Sequence, residues 1–182
     1  MQPTQLLTLW GKSDSDDPSY YHPLLFHMLD TAHVARLIWS EVLSPSCRYQ
    51  LAHDIHLDLE TAKAIISLMS GLHDLGKAHP GFQAQQPALA TRVQKAGLSI
   101  TKYWAEARKP HGQVTARELE RILLELGWER EPAVILAVVA GGHHGIFPSA
   151  SDLQSMGMDT LGAVSYTHLR AHETSLHLVC RL

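Results

Sequence analysis

The chain has 182 residues, 45% of them hydrophobic, which is enough for one domain with a substantial core but too few for two comfortable ones. A formal net charge of −3 excludes a polycation that binds nucleic acid through its overall charge. No segment reaches the ~18 apolar residues of a membrane span and no signal peptide opens the chain, so we expect a cytoplasmic protein without membrane contact. Cys47 and Cys180 fit no disulfide or zinc framework, whereas thirteen histidines are unusually many.

The first predicted helix follows a polar loop at residues 13–19. Pro23 lies near its first turn and Pro45 beyond its end. Three-and-four spacing places six residues on one expected inward face: Leu24, His27, Thr31, Val34, Ala35 and Ile38. We therefore expect the His27 side chain to point toward the core.

The second predicted helix starts near Leu59 and ends in a histidine and an aspartate. Its expected buried stripe contains Ala62, Ile65, Ile66, Met69, Leu72 and His73. Gly76 allows the chain to break, and Pro80-Gly81 prevents the helix from resuming. Asp74 lies about 100° around the helix from His73, so both side chains could reach a metal at the helix end.

Two further helices are predicted in the second half. Thr115-Ala116-Arg117-Glu118 matches a capping box that opens a helix toward Gly127, with His111 in the preceding loop. A last helix runs from about Pro132 to Ala140 and is apolar all round, which is typical of a central position. A buried strand is the alternative, although no second strand-like segment could pair with it. Gly141-Gly142 ends this segment and presents His143 and His144.

The composition changes near residue 163, after which neither an apolar stripe nor turn residues follow. We therefore predict one domain over residues 1–162, truncated at its C-terminal end. Residues 163–182 are predicted to be a non-native read-through tail. A native C-terminal helix is the alternative.

The adjacent pair His73-Asp74 indicates a hydrolytic metal centre. One side chain binds metal through nitrogen and the other through oxygen, and a carboxylate can bridge two cations. The other candidate ligands are His27, His111, His143 and His144. A donor set without cysteine favours one or two divalent ions of Mn, Fe, Co, Ni or Mg.

Three other features have less specific interpretations. Residues 71–77 fit the pattern of a phosphate-binding loop, but Ala78 replaces the hydroxyl residue and we expect no helix to open at His79-Pro80-Gly81, so nucleotide binding is rejected. Residues 91–121 carry seven Lys or Arg against three Glu, with Tyr103-Trp104 among them. They suit single-stranded nucleic acid or a solvated face. We expect five histidines to be surface or locally bonded: His22, His33, His53, His56 and His79.

The ordered set of motifs resembles one nuclease family. The set comprises Trp10-Gly11-Lys12, His27, Leu72-His73-Asp74-Leu75-Gly76-Lys77, Phe82-Gln83, His111-Gly112 and Gly142-His143-His144-Gly145. It is similar to the HD-superfamily nuclease domain of the type I CRISPR effector nuclease-helicase over residues 9 to about 150. The resemblance implies an all-α, HD-domain helical bundle with a metal site where helix ends converge. It also implies cleavage of single-stranded DNA exposed by a CRISPR surveillance complex, with a helicase on missing sequence or a separate chain.

The resemblance also assigns roles to residues. His27, His73 and Asp74 would hold a first metal, and Asp74, His111, His143 and His144 a second, with Asp74 and Lys77 catalytic. The family completes its first site with an aspartate on a later helix, and neither Asp152 nor Asp159 has the expected context. Two other functions stay open: an HD phosphohydrolase of small nucleotides, and a catalytically incomplete metal-binding interaction module.

Overall fold

Helices dominate the computed structural model, which describes residues 3–14, 16–17, 19–100 and 109–155. The longer helices are α2 (Leu24–Leu37), α3 (Pro45–Asp54), α4 (Leu59–Leu72), α6 (Pro87–Lys95), α7 (His111–Glu125) and α8 (Arg130–Gly141). Three short ones are α1 (Pro3–Leu6), α5 (Pro80–Gln83) and α9 (Ala150–Ser155). The predicted all-α class is confirmed. Within the described ranges, no helix is both long and apolar enough to cross a membrane.

A small hairpin accompanies the helices, which the sequence pattern did not indicate. Strand β1 (Trp10–Ser13) pairs antiparallel with β2 (Tyr21–Pro23), with an irregularity between Trp10 and Lys12. The backbone N–H of Leu24 donates to the carbonyl of Leu9 at 2.8 Å. The hairpin is thereby attached to the first turn of α2, three residues before His27.

Helix α2 buries a different face from the predicted one in its second half. Leu24 and Ala32 are buried as an inward face requires, but Val34 is 53% and Ile38 44% exposed. The regular helix stops at Leu37, and a π-helical turn over Ile38–Val42 buries Trp39 instead. A π turn has more residues per turn than an α-helix, so a constant 3.6-residue period fails across it.

Helix α4 follows its prediction closely. Asp58 caps it by accepting the N–H groups of Glu60 and Thr61, and Leu72 is its last residue. A 3₁₀ turn at Leu75–Ala78 follows, preceded by His73 and Asp74. Helix α4, and not a strand, leads directly into the segment 71–77, which agrees with rejecting a phosphate-binding loop there.

The segment after Ala78 corrects one expectation. His79-Pro80-Gly81 does open a helix, the single turn α5, because proline suits a first helical position. His79 is 2% exposed and caps this turn by accepting the Gly81 N–H through Nδ1 at 3.0 Å. It is a locally hydrogen-bonded histidine, as expected.

Helix α7 begins five residues earlier than the capping box predicts. Its N-cap is Pro110, so His111 lies in the first helical turn and not in a loop. Thr115 is fully buried: its hydroxyl donates to the His73 carbonyl at 2.9 Å and accepts the Gly76 N–H at 2.8 Å. A tertiary contact therefore uses the group that the local pattern assigned to capping.

Helices α7 and α8 approach each other closely at one pair of glycines. A Cβ atom on Gly112 or on Gly141 would collide with the carbonyl oxygen of the other residue. Only glycine permits this contact. The start of α7 therefore lies against the end of α8, which brings His111 next to the residues that follow Gly141.

Helix α8 is helical as predicted, but it is not central on all sides. Ala133, Ala137 and Ala140 are buried, whereas Ile135 is 55% and Val139 53% exposed. One face packs against α4 and α7 in a shared core cluster, and β-branched residues face outward on the other. The proposed tail, residues 163–182, lies outside the described residues.

We predict that Thr115→Val destabilises the fold. The substitution keeps the shape but leaves the buried His73 carbonyl and Gly76 N–H without their partner, at ~1–3 kcal/mol for each group. Thr115→Ser is the matched control, since it retains the hydroxyl and loses one methyl group at about 1 kcal/mol. Urea unfolding measures the difference. A valine variant as stable as the serine variant would contradict this role of the hydroxyl.

Candidate metal centre

The carboxylate of Asp74 lies at the middle of a cluster of basic side chains. Asp74 is 3% exposed. Its Oδ2 atom is 2.8 Å from His27 Nε2, 3.1 Å from His73 Nε2 and 2.7 Å from Lys77 Nζ. Its Oδ1 atom is 3.3 Å from His111 Nε2 and 3.5 Å from His143 Nε2. The two oxygens therefore face different groups of side chains.

The donor atoms form two sets around this carboxylate. One set is His27, His73 and Asp74, and the other is His111, His143 and His144; within each, the potential ligand atoms lie within 4.8 Å of one another. The second set is joined by contacts of His111 Nε2 with His143 Nε2 at 3.3 Å and with His144 Nε2 at 3.0 Å. Each set has the size of a single metal-binding site.

Backbone carbonyls fix the tautomers of two of these histidines. Nδ1 of His73 lies 2.7 Å from the Ser70 carbonyl, and Nδ1 of His143 lies 2.9 Å from the Ala140 carbonyl. A carbonyl oxygen only accepts, so Nδ1 carries the proton and donates in both residues. In the neutral ring, Nε2 then presents its lone pair to the centre, which is the arrangement typical of a metal-ligating histidine.

Burial favours the neutral form of two ligands. The pKa of His27 and the pKa of His143 are both lowered, mainly because partial burial penalises the charged imidazolium. The opposite holds for Asp74: burial alone would raise the pKa of this carboxyl, but hydrogen bonds from its basic neighbours, His111 and Lys77 among them, outweigh it and hold the pKa well below its usual range. The centre therefore places two imidazoles that favour the neutral form, those of His27 and His143, beside an ionised carboxylate.

This donor set fits divalent cations. Nε2 of His73, which carries a lone pair, faces an ionised carboxylate oxygen at 3.1 Å, and two acceptors so close repel each other unless a proton or a cation lies between them. Imidazole and carboxylate ligands suit divalent transition metals. The residues present therefore fit one or two such ions.

Lys77 is braced from the hairpin side. Its Nζ atom donates to the Gly11 carbonyl at 3.2 Å as well as to Asp74. Gln83, which is fully buried, ties the same two segments together: its Nε2 donates to the carbonyls of Trp10 at 2.9 Å and Lys77 at 2.7 Å, and its Oε1 accepts the Trp10 N–H. The Trp-Gly-Lys and Phe-Gln motifs therefore position Lys77 against Asp74.

Phe82 supplies a second brace beside Gln83. Its ring lies 4.5 Å from the Trp10 ring and 5.7 Å from the His111 ring, and Lys77 Nζ is 5.4 Å from its centroid. The sequence pattern contained the Phe-Gln pair but gave no physical reason for it. Thr115 was also missed, since its role depends on a contact with residues about forty positions earlier.

The structure brings all six candidate ligands and Lys77 together. Other residues that the sequence suggested for the site lie away from it or outside the described residues. Asp152 accepts hydrogen bonds from the N–H and hydroxyl of Ser149, and Asp159 lies outside the described residues. In the basic stretch, Lys102, Arg108 and Tyr103-Trp104 also lie outside them, whereas Lys109 is exposed two residues before His111.

Several basic residues of that stretch are used within the fold. Arg92 lies over the Tyr21 ring at 3.9 Å, Arg117 pairs with Glu120, and Arg121 pairs with Glu118 and Glu125. These three arginines therefore contact residues of the fold itself, and nucleic-acid binding by the rest of the stretch stays a prediction. Lys109 is the basic residue that borders the metal centre in sequence.

Comparison with known proteins matches this geometry to one family. The family model described as the HD domain of Cas3 matches residues 10–180. The CRISPR-associated endonuclease/helicase Cas3 of Thermus thermophilus is 41% identical over 151 residues, which cover 82% of this chain and 15% of that protein. The CRISPR-associated nuclease/helicase Cas3 of Streptococcus thermophilus is 26% identical, covering 75% of this chain and 16% of its own length. The chain spans only about a sixth of these curated relatives.

Solved structures agree with the sequence matches. The crystal structure of a CRISPR-associated protein superimposes with a TM-score of 0.82 at 31% identity, covering 97% of this chain and 19% of the other. The Thermus thermophilus Cas3 HD domain, crystallised in the presence of Ni²⁺, gives a TM-score of 0.55 at 33% identity, covering 96% of this chain and 60% of the other. With a family model that spans nearly the whole chain and a relative at 41% identity, the chain belongs to the Cas3 HD domain family.

Proposed function

We propose that this chain is a metal-dependent HD nuclease that cleaves single-stranded DNA in type I CRISPR interference. The observation that carries the proposal is the position of Asp74, whose Oδ2 faces His27 and His73 while Oδ1 faces His111 and His143. A carboxylate divided in this way suits a bridging ligand between two cations. The family relationship supports a nuclease, and the relatives' names supply the CRISPR context.

In this proposal, His27, His73 and Asp74 hold one divalent ion, and Asp74, His111, His143 and His144 hold a second. Bound cations of this kind would supply a water nucleophile at neutral pH and neutralise charge on the phosphate oxygens. Mn, Fe, Co, Ni or Mg are the candidate ions. The carbonyls of Ser70 and Ala140 keep His73 and His143 in the tautomer that ligates.

Lys77 would stabilise negative charge on a phosphate of the substrate. Its ammonium has three N–H donors, of which Asp74 and Gly11 take two, so one can donate to a phosphate oxygen. Lys77 is nearly buried, and its position is set by Gln83 and Phe82. Preorganised charge of this kind lowers a barrier without side-chain rearrangement during the reaction.

The partners follow from the same proposal. Single-stranded DNA would be delivered by a CRISPR surveillance complex, and a helicase would lie on additional sequence or on a separate chain. The exposed residues His143 and His144 and the exposed Lys109 suit a polymer that passes across the surface. A phosphohydrolase of small nucleotides would need specific contacts around one base, so nucleotide hydrolysis is assayed in parallel.

We predict that removing one ligand weakens metal binding. In metal-free protein titrated calorimetrically with Mn²⁺ or Ni²⁺, His143→Ala should bind at least roughly 10–100-fold more weakly, which is the loss expected even for a supporting contact. His53→Ala is the control, because His53 is exposed on α3 and stacks with Tyr49. Equal affinity in wild type and His143→Ala would show that this histidine is not a ligand.

We predict that Asp74→Asn abolishes metal-dependent cleavage of single-stranded DNA, with a loss of about a hundredfold or more. The amide has no charge and one oxygen fewer to bridge cations. Asp30→Asn is the matched control, since Asp30 is exposed and pairs with His22. Circular dichroism checks that the helices persist.

The cleavage assay uses this chain and an extended form of it that carries the further aspartate which the resemblance implies on a later helix. Retained cleavage with Mn²⁺ in Asp74→Asn would contradict the bridging role. An Asp74-dependent cleavage of mononucleotides but not DNA would favour the phosphohydrolase alternative.

A further inference from the structure

Two apolar side chains are exposed next to the metal centre. Ile146 is 81% and Phe147 61% exposed, and they lie two and three residues after His144. Adjacent exposed hydrophobic residues on a described surface mark a contact site more often than chance does. Neither residue contributes a donor to the metal centre, so the centre itself does not explain them.

A tight turn fixes the position of Phe147. The Gly145 N–H donates to the Gly142 carbonyl at 2.8 Å, and Gly145 has a φ of +81°, which favours glycine. The chain thus reverses after His144 and returns over the end of α8. A Cβ atom on Gly142 would collide with the Phe147 ring. The ring therefore rests on the backbone of the residue that precedes His143.

The turn therefore holds the exposed Phe147 ring beside the histidines of the second set. Glycine at position 142 lets the ring approach the backbone, and the turn ties residues 145–147 to the histidine pair. His144 contacts His111 at the start of α7, and the exposed Lys109 lies two residues before His111. An aromatic ring and a cation therefore flank the same group of imidazoles.

We propose that Phe147 is a base-stacking residue of the nuclease, which receives the base of a nucleotide next to the scissile phosphate. The inference rests on the proposed function and specifies how the site holds its substrate. Aromatic rings bind single-stranded nucleic acid by stacking on the face that every base presents, and basic residues bind its phosphates. Phe147 would supply stacking and Lys109 phosphate attraction, so binding would not depend on base sequence.

The test compares two oligonucleotides of equal length and charge, oligothymidylate and the same backbone with abasic positions. Binding is measured by fluorescence anisotropy in the presence of EDTA, so that no cleavage occurs. Phe147→Ala should weaken binding of oligothymidylate about tenfold and leave binding of the abasic strand unchanged. Phe147→Trp should restore binding, because tryptophan also stacks.

Two variants serve as controls for this comparison. Lys109→Glu should weaken binding of both strands alike, since the phosphates are the same. Ile135→Ala removes an exposed apolar side chain of α8 and should change neither. Metal titration of Phe147→Ala should match wild type, because Phe147 offers no ligand atom.

The remaining outcomes overturn the inference in different ways. If Phe147→Ala binds and cleaves DNA like wild type, the stacking role fails while the proposed function stands. If both strands lose affinity equally, the ring supports the turn and does not stack. If the wild-type chain and its extended form neither bind nor cleave single-stranded DNA, the proposed function fails together with the inference.

Discussion

The buried charge of Asp74 is the constraint on which the arrangement of this fold depends. An ionised carboxylate that is 3% exposed is strongly unfavourable without partners, and removing one partner of such a pair costs ~3–5 kcal/mol. Four histidines and one lysine supply those partners, and they come from α2, from the segment after α4, from α7 and from the segment after α8. The helices must therefore converge at one point. The proposed metal centre and a stable core thus make the same demand on the sequence.

Small residues and buried hydrogen bonds allow this convergence. The contact of Gly112 with Gly141 joins α7 to α8, and Thr115 joins α7 to the backbone around Asp74. On the opposite side, Gln83 connects Lys77 to Trp10, so that the hairpin supports the centre as well. These contacts lie beneath the ligands. They explain why motifs that contribute no metal ligand, such as Trp-Gly-Lys and Phe-Gln, accompany the histidines along the chain.

The sequence predicted the fold best where the residues that determine an element lie within that element or next to it. Helix α4 has a capping aspartate, a regular apolar stripe and a glycine after its end, and these located His73 and Asp74 at a helix terminus. The sequence-based predictions failed where a contact with residues distant in the chain determines the local structure. Thr115 matched a capping box, but its hydroxyl bonds to residues 42 and 39 positions away, and α7 starts at His111 instead. Ile135 and Val139 suggested a central helix, because composition alone does not tell which face of α8 has no neighbour. The family resemblance, not periodicity, grouped the six ligands into two sets.

Anomalous X-ray diffraction from crystals grown with Mn²⁺ tests the central claim most directly, because it locates ions independently of any assay. We expect anomalous peaks bonded to the carboxylate of Asp74, with Nε2 of His27 and His73 around one ion and Nε2 of His111 and His143 around the other. A single peak in either set would retain the centre but remove the bridging role. The absence of any peak beside Asp74 at saturating Mn²⁺, or peaks only at other positions, would contradict the account that this carboxylate organises a metal centre.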